Sequence, residues 1–186
     1  MKVLGINASP RKGGNTDFLL DQTLKGAGDA GAETEKIYLN RLNYRGCQEC
    51  SDALTDGNCK VKDDLLEVIA KVLEADAVVI SSPVYFGSVS GQLKCMIDRF
   101  QCYWMGRFVH KTVETQMRKK GVFLSVQGTE KEKFFLNSRD IVKNFMATIN
   151  AEYTAELSCK LVDAKLDIQK RLDCLEQAYK IGEKLI

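Results

Sequence analysis

The chain has 186 residues, 45% of them apolar and 28% charged; this suits one globular domain spanning 1–186 and excludes disordered and fibrous classes. A formal net charge of +2, no basic run longer than Arg118-Lys119-Lys120 and only short apolar runs leave no footprint for nucleic acid, an anionic surface or a membrane span. Seven cysteines, with Met1-Lys2 leading straight into an apolar run, read as reduced thiols of a cytoplasmic protein without a secretory leader.

In chain order, Val3-Leu4-Gly5-Ile6-Asn7 predicts a strand covered on both faces. Ala8-Ser9-Pro10-Arg11-Lys12-Gly13-Gly14-Asn15-Thr16 follows, then a helix carrying Phe18, Leu19, Leu20 and Leu24. A turn rich in glycine and hydroxyl groups at a helix N-terminus is a phosphate site in waiting, because free N–H groups and the helix dipole both favour an anion. Ser9, Arg11, Gly14, Asn15 and Thr16 are the candidates there. The turn is neither a Walker loop nor Gly-x-Gly-x-x-Gly, so one phosphate is expected and not a dinucleotide. Residues 33–39 (ETEKIYL) predict a polar edge strand.

Next comes a loop with Cys47, Cys50 and Cys59. Iron–sulfur clusters and structural zinc usually take four ligands, and this loop offers three thiols. A metal site, a Cys47–Cys50 redox pair and a loop without metal all stay open on spacing alone. Asp63 and Asp64 then open a helix with the stripe Leu65, Leu66, Ile69, Val72 and Leu73. Residues 75–82 (ADAVVISS) predict a third, buried strand, followed by Pro83-Val84-Tyr85-Phe86-Gly87-Ser88 and a helix opened by Ser90 with Leu93, Ile97 and Phe100.

Residues 101–118 are longer than a simple turn and hold the only Trp, Trp104, and the only His, His110. A fourth strand, 121–126, runs into Gln127 and Gly128. A helical stripe follows from Phe134 through Ile141, Phe145 and Ile149. Residues 151–159 alternate strictly, with Ala151, Tyr153, Ala155, Leu157 and Cys159 on the apolar side, as in a half-exposed edge strand. Ile168, Leu172, Leu175, Tyr179 and Gly182 would line the last helix. Strand then helix, five times over, predicts a doubly wound α/β sheet. The polar second and fifth strands select the order 2-1-3-4-5, with ligands at the carboxyl ends of the strands.

Two of these stretches carry a family resemblance. Ser9-Pro10-Arg11-Lys12-Gly13-Gly14-Asn15-Thr16 resembles the phosphate loop of the NAD(P)H-dependent FMN reductases, a branch of the flavodoxin-like superfamily. Pro83 to Lys94 (PVYFGSVSGQLK), ending in Ile97-Asp98-Arg99, resembles that family's second flavin loop. The resemblance implies a flavodoxin-like three-layer sandwich with a five-stranded parallel sheet. It implies FMN held by Ser9, Arg11, Gly14, Asn15 and Thr16 at the phosphate. Pro83, Val84, Tyr85, Phe86, Gly87 and Ser88, with Gln127 and Gly128, would hold the ring and ribityl chain. Tyr85 or Phe86 would flank the isoalloxazine, with core packing the plain alternative for both. Residues 101–118 would help to build a homodimer or homotetramer.

The implied activity is electron transfer from NAD(P)H through FMN to a small-molecule acceptor such as free flavin or quinone. The chemistry then belongs to the cofactor and no side-chain catalyst is expected. The iron–sulfur flavoproteins, a subset of this family, carry Cys-x2-Cys-x2-Cys, a short gap, then Cys; laid over residues 47–59, the third cysteine falls on Ala53. Cys47, Cys50 and Cys59 therefore stand as metal candidates lacking one ligand of that motif. FMN alone is the favoured cofactor set, and a flavoprotein with an iron–sulfur centre, reduced by a protein donor such as ferredoxin, is the alternative.

Overall fold

The computed structural model describes residues 1–50, 56–114 and 117–186. Five parallel strands, β1 (Lys2–Asn7), β2 (Glu33–Tyr38), β3 (Ala77–Pro83), β4 (Lys119–Gln127) and β5 (Ala151–Lys160), form one sheet in the order β2-β1-β3-β4-β5. Residues of the central strands are apolar on both faces because helices cover both. On one face, α1 (Asn15–Asp29) and α6 (Leu172–Glu183) bury Leu19, Leu20, Ala27, Cys174 and Ala178 against Val3, Val79, Val122 and Leu124. On the other, α2 (Leu65–Glu74), α3 (Gly91–Asp98), α4 (Gln101–Trp104) and α5 (Glu132–Thr148) pack against Leu4, Ile6, Val78, Ile80 and Phe123. The predicted three-layer fold and strand order are those observed.

Three details differ from the sequence pattern. In α2 the buried stripe is Leu65, Val68 and Val72, while Leu66 is exposed. In α6 the inward positions are Cys174, Ala178 and Gly182, and Leu172 points to solvent. Small residues win there because α1 and α6 approach closely: a Cβ on Gly182 would overlap the carbonyl oxygen of Thr23, and one on Gly26 that of Tyr179. The Thr23 hydroxyl bridges the pair by donating to the Ala178 carbonyl at 3.0 Å.

The third difference is in β5. Its register against β4 slips between Gly121 and Val122, where Tyr153 pairs with Gly121 and Ala155 with Val122, leaving Thr154 as an extra residue. One inserted residue reverses every side chain beyond it. Ala151 and Tyr153 accordingly pack with the α2/α5 layer, whereas Ala155, Leu157 and Cys159 pack with the α1/α6 layer.

Segment 101–118 begins as the single turn α4 and widens into a π-helical turn at Met105–Val109. Arg107 anchors it by donating to the carbonyls of Ala147 and Thr148, at 2.9 and 2.7 Å, at the electronegative end of α5. No helix among the described residues is long and apolar enough to cross a membrane.

Candidate functional site

The first loop is shaped by its own backbone. Gly13 adopts φ +63°, which favours glycine, and a Cβ on Gly14 would sit 3.0 Å from the Arg11 carbonyl oxygen. The Ser9 hydroxyl accepts the Arg11 N–H at 3.1 Å, and Asn7 Oδ1 accepts the Ser9 N–H at 2.9 Å, so the turn is held from inside. No side chain caps α1, whose first turn opens at Gly14. Thr16 Oγ1 is buried there without a hydrogen-bond partner.

Behind the turn, Asp17 accepts the Gly13 N–H at 2.7 Å and pairs with Lys36 on β2. Burial works to raise the Asp17 carboxyl, but Lys36 and the Gly13 N–H outweigh it and hold the group below the usual carboxylate range. Asn15 does not face the loop alone: its amide donates to the Ala164 carbonyl at 2.9 Å and its Oδ1 accepts from the Ile168 N–H at 3.3 Å. It ties the segment after β5 to the turn after β1.

The second loop is fastened to the first. Ser90 caps α3 through Leu93 N–H and donates its hydroxyl to the Ala8 carbonyl at 2.7 Å. Tyr85 and Ser88 exchange two backbone hydrogen bonds of 2.9 Å around Phe86 (φ +51°) and Gly87 (φ +72°), a tight turn with both central residues left-handed. Phe86 therefore projects fully into solvent, while Tyr85 is 40% exposed. From β4, Gln127 sits buried with its amide nitrogen donating to the carbonyl of Thr129 at 2.8 Å and its Oε1 unpartnered.

These loops meet in one cleft at the carboxyl edge of the sheet. Ser9, Arg11, Gly14, Asn15, Thr16, Pro83, Val84, Tyr85, Gln127 and Gly128 line it together. Phe86, Gly87 and Ser88 lie on the turn beyond Tyr85 and off the cleft wall. Val126, beside Gln127 at the end of β4, also lines the wall; Val162, Asp163 and Lys165 complete it and were missed from sequence, their signal being position alone, just after a strand that ends at this edge. A larger groove, about 510 Å³, lies elsewhere, between α3/α4 and α5, with Trp104 and Phe108 on its rim. His110 is exposed.

The cysteines form a separate arrangement. Cys47, Cys50, Cys59 and Cys102 line one small, mostly apolar cavity together with Arg99. Arg99 is fully buried: Nε donates to Cys59 Sγ at 3.0 Å, one terminal nitrogen to Asp63 at 2.7 Å and the Arg45 carbonyl, the other to the Val61 carbonyl. Burial, and then the neighbouring Cys59, push the Cys102 thiol up to about 11. Among the described residues, no group of three or more His, Cys, Asp or Glu side chains, as they stand, could hold a metal ion. Ala53 lies outside the described residues.

Residues 1–153 match the NADPH-dependent FMN reductase family. The chain belongs to that family. Its relatives include an iron–sulfur flavoprotein of Methanocaldococcus jannaschii, 43% identical over 99 residues that are 53% of this chain and 51% of that one. An iron–sulfur flavoprotein of Archaeoglobus fulgidus is 44% identical over 58% of this chain and 53% of its own. A Bacillus subtilis protein named as an NAD(P)H-dependent FMN-containing oxidoreductase is 32% identical over 54% and 52%. The chain thus spans about half the length of the curated relatives it matches. Among solved structures, an NAD(P)H:quinone oxidoreductase from Methanothermobacter marburgensis superposes with a TM-score of 0.74 at 20% identity, covering 100% of this chain and 96% of that one. A flavone reductase gives 0.76 at 22%, covering 100% and 62%. At such identities these likenesses speak for the fold.

FMN, the cofactor of this family, suits the cleft. An uncapped helix N-terminus and the orphaned Thr16 hydroxyl offer donors to one phosphate, and the orphaned Gln127 Oε1 offers an acceptor in the same cleft.

Proposed function

We propose that this chain passes electrons from NAD(P)H through bound FMN to a small-molecule acceptor of the free-flavin or quinone kind. The observation that carries the reading is the orphaned, buried Thr16 hydroxyl at the uncapped start of α1, inside a cleft that also gathers the second loop and Gln127 and Gly128 after β4. When bound, the flavin supplies hydride acceptance and electron donation. Ser9, Arg11, Asn15 and Thr16 hold the phosphate, with Gly14 letting the backbone come close. Pro83, Val84, Tyr85, Gln127 and Gly128 position the ribityl chain and ring. Gly87 and Ser88 shape the turn that presents Tyr85 and leaves Phe86 in solvent. Proton-transfer roles are assigned to none of these side chains.

The test is anaerobic. Protein loaded with flavin should bleach rapidly on addition of NADPH or NADH and recolour with quinone, and the cofactor released on denaturation should have the mass of FMN. FAD, or no flavin after FMN is supplied, sinks the reading.

A second reading is favoured by the four-cysteine cavity and by relatives named as iron–sulfur flavoproteins: an electron-transfer protein with a cluster beside FMN, reduced by a protein donor. Flavin that stays oxidised under NAD(P)H, yet bleaches with reduced ferredoxin, selects it. In either case we place the protein in the cytoplasm as a homodimer or homotetramer, the exposed Trp104, Phe108 and Val109 supporting self-association.

A further inference from the structure

The loop that begins at Cys47 carries three thiols where a cluster needs four, and Ala53 stands at the position where the compact motif would supply another. The fold brings a fourth thiol from elsewhere. Cys102, on α4 and more than forty residues downstream of Cys59, faces the same cavity as Cys47, Cys50 and Cys59. We propose that Cys102 is the fourth thiolate of an iron–sulfur site whose other ligands are Cys47, Cys50 and Cys59. The proposal takes the class of metal centre from the second reading above and does not depend on which donor reduces the flavin.

Position separates Cys102 from the remaining thiols. Cys159 and Cys174 are buried in the α1/α6 layer, across the sheet from the α4 residue Tyr103. Cys95 is the rival, since a Cβ on Gly46 would lie 3.7 Å from its sulfur, yet it is absent from the cavity wall. Cys102 Sγ donates to the Arg99 carbonyl at 3.4 Å, and its thiol neighbours Cys59, the sulfur that accepts from the Arg99 guanidinium at 3.0 Å.

Cys102 is buried on α4, and the half-buried Cys59 is held by the Arg99 guanidinium. Cys47 and Cys50 sit on chain that belongs to no helix or strand, and neither is part of the hydrophobic core. The surroundings suit the charge as well. A cluster with four thiolates is anionic, and an N–H donor aimed at a ligand sulfur in a mostly apolar cavity stabilises it, as hydrogen bonds to cluster sulfurs do in general. On ligation each thiol gives up its proton and forms one sulfur–iron bond. Supplying ferrous and ferric iron together with sulfide meets the electron count of a two-iron or a four-iron cluster without an outside oxidant.

The experiment is anaerobic reconstitution with both iron states and sulfide, followed by iron and acid-labile sulfide analysis, the absorption beyond the flavin bands, and flavin content. Wild type should hold stoichiometric iron and sulfide with broad long-wavelength absorption. Cys102→Ser should lose at least about tenfold in retained iron while keeping its flavin, a loss of the size that removing a metal-site partner brings. Cys95→Ser should match wild type. Wild type without stoichiometric iron overturns both the cluster and its fourth ligand. Wild type with iron that Cys102→Ser also retains, or that Cys95→Ser loses instead, overturns the assignment of Cys102 alone. Should Cys102→Ser not fold, cobalt(II) titration of Cys95→Ser carries the test: long-wavelength bands of a tetrahedral four-sulfur site support the proposal, and weaker three-sulfur bands, or none, defeat it.

Discussion

At the scale of single residues, Arg11 and Asp17 serve the phosphate turn in opposite ways. Arg11 lines the cleft and, in the proposed site, would contribute one charged donor to a bound phosphate. Arg11→Ala should weaken FMN binding by about 1.5–3 kcal/mol, or roughly tenfold to a hundredfold, measured by fluorescence quenching on titration. Unchanged affinity would place the anion elsewhere. Asp17 never needs to touch the cofactor; it holds Gly13 in place and is itself held by Lys36. Its carboxyl is depressed in the folded state, so its stabilisation is complete above the usual carboxylate pKa and is lost as pH falls through the lower, folded value. Asp17→Asn should therefore cost about 1.5–3 kcal/mol at pH 7, the worth of a hydrogen bond to a charged group. Denaturant midpoints of the two proteins should converge as pH drops below the carboxylate range. A gap that stays constant down to strong acid would show that packing, not charge, makes the contribution.

At the scale of elements, the contact between α1 and α6 turns on two glycines. Gly182→Ala forces a methyl into the Thr23 carbonyl, and overpacking of this kind costs about 1–3 kcal/mol or more. Gly28→Ala in the same α1 helix is the contrast: its Cβ would meet only Thr34 Cγ2 at 3.9 Å, so the gain in helix propensity, about 0.5–1 kcal/mol, should appear as a small stabilisation. Thermal melts of the two variants should move in opposite directions, and a common direction would deny the close approach.

The same elements show what a sequence carries and what it hides. Strand order and the cap at Ser90 were legible because burial on both faces and side-chain capping leave local patterns. The α6 face was not, because a helix that packs through Cys174, Ala178 and Gly182 presents its small residues inward and leaves Leu172 outside. The bulge at Thr154 was hidden too, since alternation persists in the letters while the faces exchange in space. Within the cleft, the glycine-rich turn after β1 was legible as a cleft-lining loop by composition, whereas Asp163 and Lys165 come from an irregular segment with no pattern of its own. Cys102 is hidden for another reason: only the packing of α4 brings it to Cys59.

At the scale of the whole molecule, the larger groove lies away from the flavin cleft, and its rim is aromatic. Trp104 and Phe108 lie with ring centroids 6.0 Å apart and are 39% and 47% exposed, and Val109 beside them is 50% exposed. Arg107 pins the turn between them to the end of α5, so this apolar surface is presented in a fixed pose and not on a loose loop. Exposed aromatic clusters beside a groove are what interface cores are made of, and a stable contact needs about 1,000 Å² or more of buried surface. Two copies meeting across Trp104 and Phe108 and the adjoining α3 and α5 faces would cover this patch on both subunits at once, as a two-fold contact does. Wild type at micromolar concentration should therefore scatter light as a dimer or tetramer. Trp104→Glu and Phe108→Glu, which place a charge in the buried centre of such a contact, should give monomers with an unchanged circular dichroism spectrum. FMN affinity should persist in those monomers, because neither Trp104 nor Phe108 is among the residues that line the cleft. A wild-type monomer would remove the proposed contact. Charged variants that keep the wild-type mass would move it to another face.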